Sequence, residues 1–183
     1  MPPLSLIRAG HEITKPFRVP PKCDATCFVH CIGESIACAH AIPPGTRTLL
    51  DFGSGAGFPG IPIALCRPEI SVTLAESQSK KAAFLRESLR TLGLSASVHA
   101  ARAETLGVSF DCVTLRAVDE MQKAVSVASR LITRAGSLVL MTTGSEADSL
   151  KAEAGSGFAW NPAIKLPFSA DRVIEVGLRM KTP

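Results

Sequence analysis

From about residue 46 the chain alternates short apolar runs with segments of helical period, the pattern of a mostly parallel sheet wrapped by helices. A first strand is expected over Thr48 to Phe52, followed by the runs "ISVTLAE", "ASVHAA", "FDCVTLR" and "GSLVLMTT", each bounded by loop residues. Between the second and third strands, "SKKAAFLRESLRTLG" puts Ala82, Leu85, Leu89 and Leu92 on one helical face, and Gly93 is placed to stop that helix. "DEMQKAVSVASRLI" predicts a helix between the fourth and fifth strands, and "SEADSLKAEAG" another after the fifth. The tail changes character, because "FAWNPAIKLPF" and "RVIEVGLRM", joined through "SAD", predict an antiparallel hairpin at one edge of the sheet. Ahead of residue 46, three proline clusters divide the chain into a loose arm and one short helix, about Asp24 to His40. The expected organisation is therefore an arm and helix over 1–45 and an α/β domain over 46–183.

Composition adds limits rather than an identity. A chain of 183 residues with 46% apolar content suits one packed core. The net charge of +4 permits an anionic partner such as nucleic acid without requiring one. Apolar stretches are too short for a signal peptide or a membrane span, so a soluble, cytoplasmic protein is expected. The sequence leaves the oligomeric state open, with a monomer favoured. The cysteines at 23, 27, 31, 38, 66 and 112 lack the dense framework of a secreted scaffold, which predicts reduced thiols. Cys23, Cys27, His30 and Cys31 raise the question of a metal. The cysteine spacing follows one helix stripe, and no second ligand pair follows downstream, so packed helix cysteines and no metal are expected.

The chemistry concentrates in "DFGSGAGFPG", residues 51–60, directly after the first strand. Bare glycines let a ligand approach the backbone, and two ligand classes use such a turn. A dinucleotide fingerprint can be matched on Gly55, Gly57 and Gly60, although a bare match is weak. In the other register, Gly53, Gly55 and Gly57 follow Asp51 at the strand end. A carboxylate there repels a pyrophosphate and suits the ammonium and sulfonium of S-adenosylmethionine, which is the reading the turn favours. Glu76, ending the second strand, can accept ribose hydroxyls from either ligand. Pro59 and Pro62 fit an early helical turn and are assigned to structure.

"LLDFGSGAGFPGIPIAL", "VTLAESQSKKAAFLRE", "ARAE" and "FDCVTLRAV" together resemble the bacterial small-subunit rRNA guanine-N7 methyltransferases, the glucose-inhibited division protein B family, over about residues 46 to 144. The resemblance implies a Rossmann-like class I methyltransferase with a mostly parallel seven-stranded sheet and an antiparallel C-terminal hairpin strand. It implies that Asp51, Gly53, Ser54, Gly55, Gly57 and Phe58 surround the methionine part of S-adenosylmethionine and that Glu76 holds the ribose. Ala103 and Glu104 would flank the adenine, and Arg116 would stand near the transferred methyl as the positioning residue, with a surface ion pair as its alternative role. Arg102 is equally readable as a solvated charge. Two departures from the family pattern lie on the substrate side: His30 and Cys31 stand where Arg and His are usual before the acidic-Ser pair Glu34-Ser35, and Thr143-Gly144 replaces Lys-Gly.

Guanine N7 offers its lone pair directly, so transfer needs alignment and no general base. N7 lies on the major-groove edge, inaccessible in A-form RNA, so the target must be unpaired or swung out. Phe58 is either a stacking partner for it or a core staple. With aromatics at 5%, RNA affinity should come mainly from phosphates, with Lys80, Lys81, Lys123, His30 and Arg116 as candidates and Arg86 and Arg90 farther along their helix. The expected partner is small-subunit rRNA or a small-subunit particle. The competing readings are a methyltransferase on a small-molecule or protein acceptor and a cofactor-binding protein with little activity.

Overall fold

A computed structural model describes residues 25–166 and 169–180. The expected arm over residues 1–24 lies outside them. The elements run α1 (Ala25–Ala41), β1 (Thr48–Phe52), α2 (Gly60–Cys66), β2 (Ser71–Ala75), α3 (Ser79–Leu92), β3 (Ser97–His99), a 3₁₀ turn (Ala103–Leu106) and β4 (Phe110–Arg116). They continue with α4 (Met121–Arg130), β5 (Ile132–Thr143), α5 (Gly144–Ala154), β6 (Phe158–Trp160), β7 (Ile164–Lys165) and β8 (Arg172–Arg179).

The sheet order is β3-β2-β1-β4-β5-β8-β6, with β7 also pairing β8. The first five strands of that order are mutually parallel, whereas β8 is antiparallel to β5, β6 and β7. Both faces are covered, which is why the strand sequences read as nearly continuous apolar runs. Neighbouring residues face opposite layers: Leu49, Cys112 and Val139 pack with Cys38, Ile63, Leu85 and Leu89, while Leu50, Val113 and Leu140 pack with Val125, Ala128 and Leu150. Helices α1, α2 and α3 thus cover one face, and α4 and α5 the other. Helix α1 belongs to this core through Cys38 and Ala39, and Ile42, just past its end, joins them. Burial pushes the Cys112 thiol up to about 12 and raises that of Cys38, so both behave as packing groups.

Three expectations are corrected. The tail run "FAWNPAIKLPF" is two short strands: the Asn161 amide still donates to the Val176 carbonyl, but Pro162 has no amide to donate, so eight strands form a sheet seven strands wide. β5 starts at Ile132 instead of Gly136, with a register irregularity between Phe110 and Cys112 that absorbs its polar early residues. Leu92 is 47% exposed, while Ala82, Leu85 and Leu89 carry the buried face of α3. Gly93 ends that helix in a left-handed conformation, φ 64°, and the Leu94 amide donates to the Leu89 carbonyl.

Two helical glycines separate packing from propensity. A β-carbon at Gly60 would press on Leu74 and stand 2.6 Å from Asp51 Oδ2, whereas one at Gly33 would meet nothing within 4 Å. Gly60→Ala should therefore cost about 1–3 kcal/mol by overpacking. Gly33→Ala should gain up to about 1 kcal/mol from helix propensity. Urea unfolding of both variants checks the opposite signs.

Candidate functional site

The carboxyl ends of β1, β2, β3 and β4 lie along one edge, and the chain order reverses between β1 and β4, the switch point where open α/β sheets bind ligands. Every residue expected to hold a cofactor leaves the sheet on this edge. The β1–α2 turn carries Asp51 through Phe58, Glu76 follows β2, Ala103 and Glu104 open the 3₁₀ turn after β3, and Arg116 ends β4.

Hydrogen bonds join the turn to β2. The Ser54 amide donates to the Ala75 carbonyl at 2.9 Å, and the Gly55 amide donates to Glu76 Oε2 at 3.0 Å. Glu76 Oε1 accepts from the Gln78 amide at 2.7 Å, so this buried carboxylate is fixed by one backbone donor on each oxygen. Each oxygen retains a second acceptor direction.

The glycines divide by what a side chain would meet. At Gly53 a β-carbon would stand 3.1 Å from Val118 Cγ2, and at Gly57 it would stand 2.5 Å from Ile61 Cδ1. At Gly55 it would meet only the Gly53 carbonyl oxygen, at 3.8 Å. Gly55 also has φ +56°, a conformation that side chains disfavour. Gly53 and Gly57 therefore serve the packing of the turn, while Gly55 turns its bare side to open space.

Asp51 is 1% exposed and lies beneath the turn instead of at its mouth. Its Oδ2 accepts from the Gly60 amide at 3.2 Å and its Oδ1 from Thr114 Oγ1 at 3.0 Å, while Ser54 Oγ donates to its carbonyl. Burial pushes its carboxyl up to about 6, against those hydrogen bonds and the nearby Arg116 charge. Thr114 was not singled out from sequence. The signal was present, since a hydroxyl inside the apolar run of β4 needs a partner, and the register places it directly opposite Asp51.

Arg116 stands at the ligand edge and is engaged there in a buried ion pair instead of the surface pair weighed from sequence. Its Nη2 donates to Glu34 Oε2 at 3.0 Å and to Cys31 Sγ at 3.0 Å. Glu34 Oε1 meets Arg172 Nη1 at 3.3 Å, so one carboxylate joins α1, β4 and β8. Burial opposes the Arg116 charge, but the thiol and the carboxylate outweigh it and hold its pKa above the ordinary value. Its buried Nε has no hydrogen-bond partner. Sequence reading had missed the Glu34 and Arg172 contacts, which span positions with no local signature.

The remaining candidates are peripheral. Ala103 is buried, and Glu104 is partly exposed, 4.0 Å from Arg102 Nη1. Phe58 is half-buried. Lys80 and Lys81 are exposed on the first turn of α3, and His30 is exposed on α1. Lys123 is held by Glu120 at 2.6 Å, and Arg90 by Glu87. A cleft of about 360 Å³ between the starts of α4 and α5 includes Lys123 and Glu146 but none of the expected cofactor residues. Thr143 caps α5, and its hydroxyl donates to Glu146 Oε2. Among the described residues no three His, Cys, Asp or Glu side chains form a metal-holding group, while Cys23 and the Cys27 side chain lie outside them. No helix among the described residues is long and apolar enough to cross a membrane.

Comparison with known proteins agrees with this arrangement. The ribosomal RNA small subunit methyltransferase G of Xanthomonas campestris pv. campestris (strain B100) is 44% identical over 111 residues, covering 59% of this chain and 51% of the relative. That of Pelotomaculum thermopropionicum is 48% identical over 96 residues, covering 48% of this chain and 40% of the relative. The chain thus spans about half the length of the curated relatives it matches. Among solved structures, a methyltransferase from Pyrococcus furiosus superposes with a TM-score of 0.70 at 13% identity, covering 88% of this chain and 87% of that one. Magnesium protoporphyrin IX methyltransferase from Synechocystis PCC 6803, solved with bound SAM, gives 0.63 at 18% identity over 81% and 78% of the two chains. These likenesses establish the class I methyltransferase fold. The model of the GidB family, described as rRNA small subunit methyltransferase G, matches residues 24–159, and the chain belongs to that family.

Proposed function

We propose that this protein binds S-adenosylmethionine on the β1–α2 turn and transfers its methyl group to N7 of a guanine in small-subunit rRNA, in the cytoplasm. The observation that carries the reading is the turn itself: Gly55 faces open space while its amide is anchored on Glu76, at the switch point of a sheet belonging to this family. The residues fit the cofactor. Gly55 leaves room for a ligand against the backbone, Glu76 keeps acceptor capacity for hydroxyls, and Asp51 supplies negative charge below the turn. Ser54, Gly53, Gly57 and Phe58 complete that wall, and Ala103 with Glu104 would border the base. When bound, the cofactor supplies an electrophilic methyl on a positively charged sulfur.

The protein's own contribution is alignment and exclusion of water, because the guanine nitrogen needs no proton removed. Lys80 and Lys81, exposed beside the turn, are the phosphate contacts best supported by position, with His30 and Lys123 farther from it in sequence. The acceptor is rRNA or an assembling small subunit, as the names of the relatives suggest.

The direct test incubates the protein with labelled S-adenosylmethionine and either rRNA or small subunits from a strain lacking the modification, then maps the label. Label on N7 of one guanine is expected; cofactor binding with no labelled RNA would overturn the reading. Gly55→Val should abolish binding of S-adenosylhomocysteine while the chain stays folded, at a cost on the order of 2 kcal/mol from the left-handed backbone.

Asp51 gives a pH signature. With its carboxyl near 6 in the free protein, a cationic ligand binds best once the proton has left, and the bound cation lowers that pKa. Affinity for S-adenosylmethionine should therefore rise as pH increases through about 6 and level off above it. Asp51→Asn should flatten the profile, as read by calorimetry between pH 5 and pH 8.

RNA affinity should fall with salt. Replacing Lys80 or Lys81 by alanine should each reduce the slope of log affinity against log salt by about 0.7 and leave cofactor affinity unchanged. Equal slopes in filter binding would remove these lysines from the interface.

A further inference from the structure

We infer that Glu34 is a positioning residue for methyl transfer, which holds the Arg116 guanidinium on the acceptor side of the site and balances its charge there. The inference rests on the methyltransferase reading above and goes beyond it, since it assigns a role to the helix that precedes the sheet. Three observations converge. Glu34, 7% exposed, places one oxygen on Arg116 at 3.0 Å and the other on Arg172 at 3.3 Å. Arg116 is the last residue of β4 and Arg172 the first of the antiparallel β8, so both guanidiniums belong to the sheet edge that carries the glycine turn. Finally, the contacts of Arg116 among the described residues run through Nη2, while its buried Nε has no acceptor. A buried donor without a partner is rare, so the Nη2 contacts carry what holds this guanidinium in place.

The charge argument follows from the reaction. The N7 lone pair forms the new N–C bond as the C–S pair returns to sulfur, and no proton leaves. One positive charge thereby passes from the cofactor side to the purine. An unbalanced arginine near the acceptor would oppose that displacement, whereas an arginine paired with a carboxylate can keep its hydrogen-bonding role without the repulsion. Asp51 and Glu76 lie under and beside the cofactor turn, so neither serves the acceptor side in this way. Because Glu34 acts through Arg116, its loss should slow the chemical step and spare cofactor binding.

The test compares wild type, Glu34→Gln and Glu34→Asp for kcat at saturating cofactor and RNA, for S-adenosylhomocysteine affinity by calorimetry, and for thermal unfolding. Glu34→Gln should lower kcat tenfold or more, with S-adenosylhomocysteine affinity within twofold of wild type. Glu34→Asp, which keeps the charge with a shorter reach, should fall between the two. An unchanged kcat in Glu34→Gln, a parallel loss of cofactor affinity and kcat, or an aspartate no better than glutamine would overturn the assignment. Should Glu34→Gln not fold, Glu34→Asp decides alone: a reduced kcat at unchanged cofactor affinity supports the role, and wild-type kcat overturns it. Wild-type protein that labels no RNA overturns the methyltransferase reading and this assignment together; active wild type with indifferent variants overturns this assignment only.

Discussion

The carboxylate of Asp51, sealed between the Gly60 amide and the Thr114 hydroxyl, sets the shape of the ligand edge. Burying a carboxyl is unfavourable unless its oxygens are satisfied, and here one donor comes from α2 and the other from β4. The same contact dictates the residue at position 60, since a β-carbon there would collide with Oδ2. It also fixes where α2 begins, so the turn must pass over Asp51 in a compact path that leaves the Gly55 amide facing Glu76. The acid that the sequence suggests as a ligand partner is first a structural brace, and its electrostatic influence on a ligand reaches through the turn instead of by contact at its mouth.

Charge on this edge is divided in two. The carboxylates of Asp51 and Glu76 belong to the β1 and β2 side, while Arg116, Glu34 and Arg172 gather around the ends of β4 and β8. A buried ion pair is weak grounds for stability, since desolvation offsets most of the attraction. The core already joins α1 to the sheet through Cys38, Ala39 and Ile42, so the polar cluster is not needed to attach that helix. Under the inference drawn above, its place at the ligand edge serves to present a guanidinium there in one orientation.

The parallel sheet, the hairpin at its end and the stop at Gly93 were legible because each has a local signature: doubly buried strands give apolar runs, and a left-handed helix cap favours glycine. What escaped depended on geometry between distant segments. Leu92 fits the helical period of α3, yet the final turn has no neighbour to cover it. The early part of β5 carries Thr133 and Arg134, which read as a loop; only Ile132 pairs with Phe110 before the register irregularity, and regular pairing resumes at Ser137. At the site, the residues of the turn were legible as a group, but the roles of its glycines were not. A pattern of alternating glycines does not tell which ones avoid Ile61 or Val118 and which one leaves space for a ligand.

The departures from the family pattern take on a physical meaning once α1 is placed. Cys31, standing where the resemblance leads one to expect a histidine, meets Arg116 through its sulfur, a weak acceptor compared with a ring nitrogen. Arg116 therefore draws its compensation from the Cys31 sulfur and the Glu34 carboxylate together. The neighbouring change, His30, is exposed on the same helix. The bonds that shape the turn are made by Gly55, Gln78, Gly60 and Thr114 to Glu76 and Asp51. Under the proposed function, changes along α1 would alter how Arg116 is held at the ligand edge without removing the bonds that shape the β1–α2 turn.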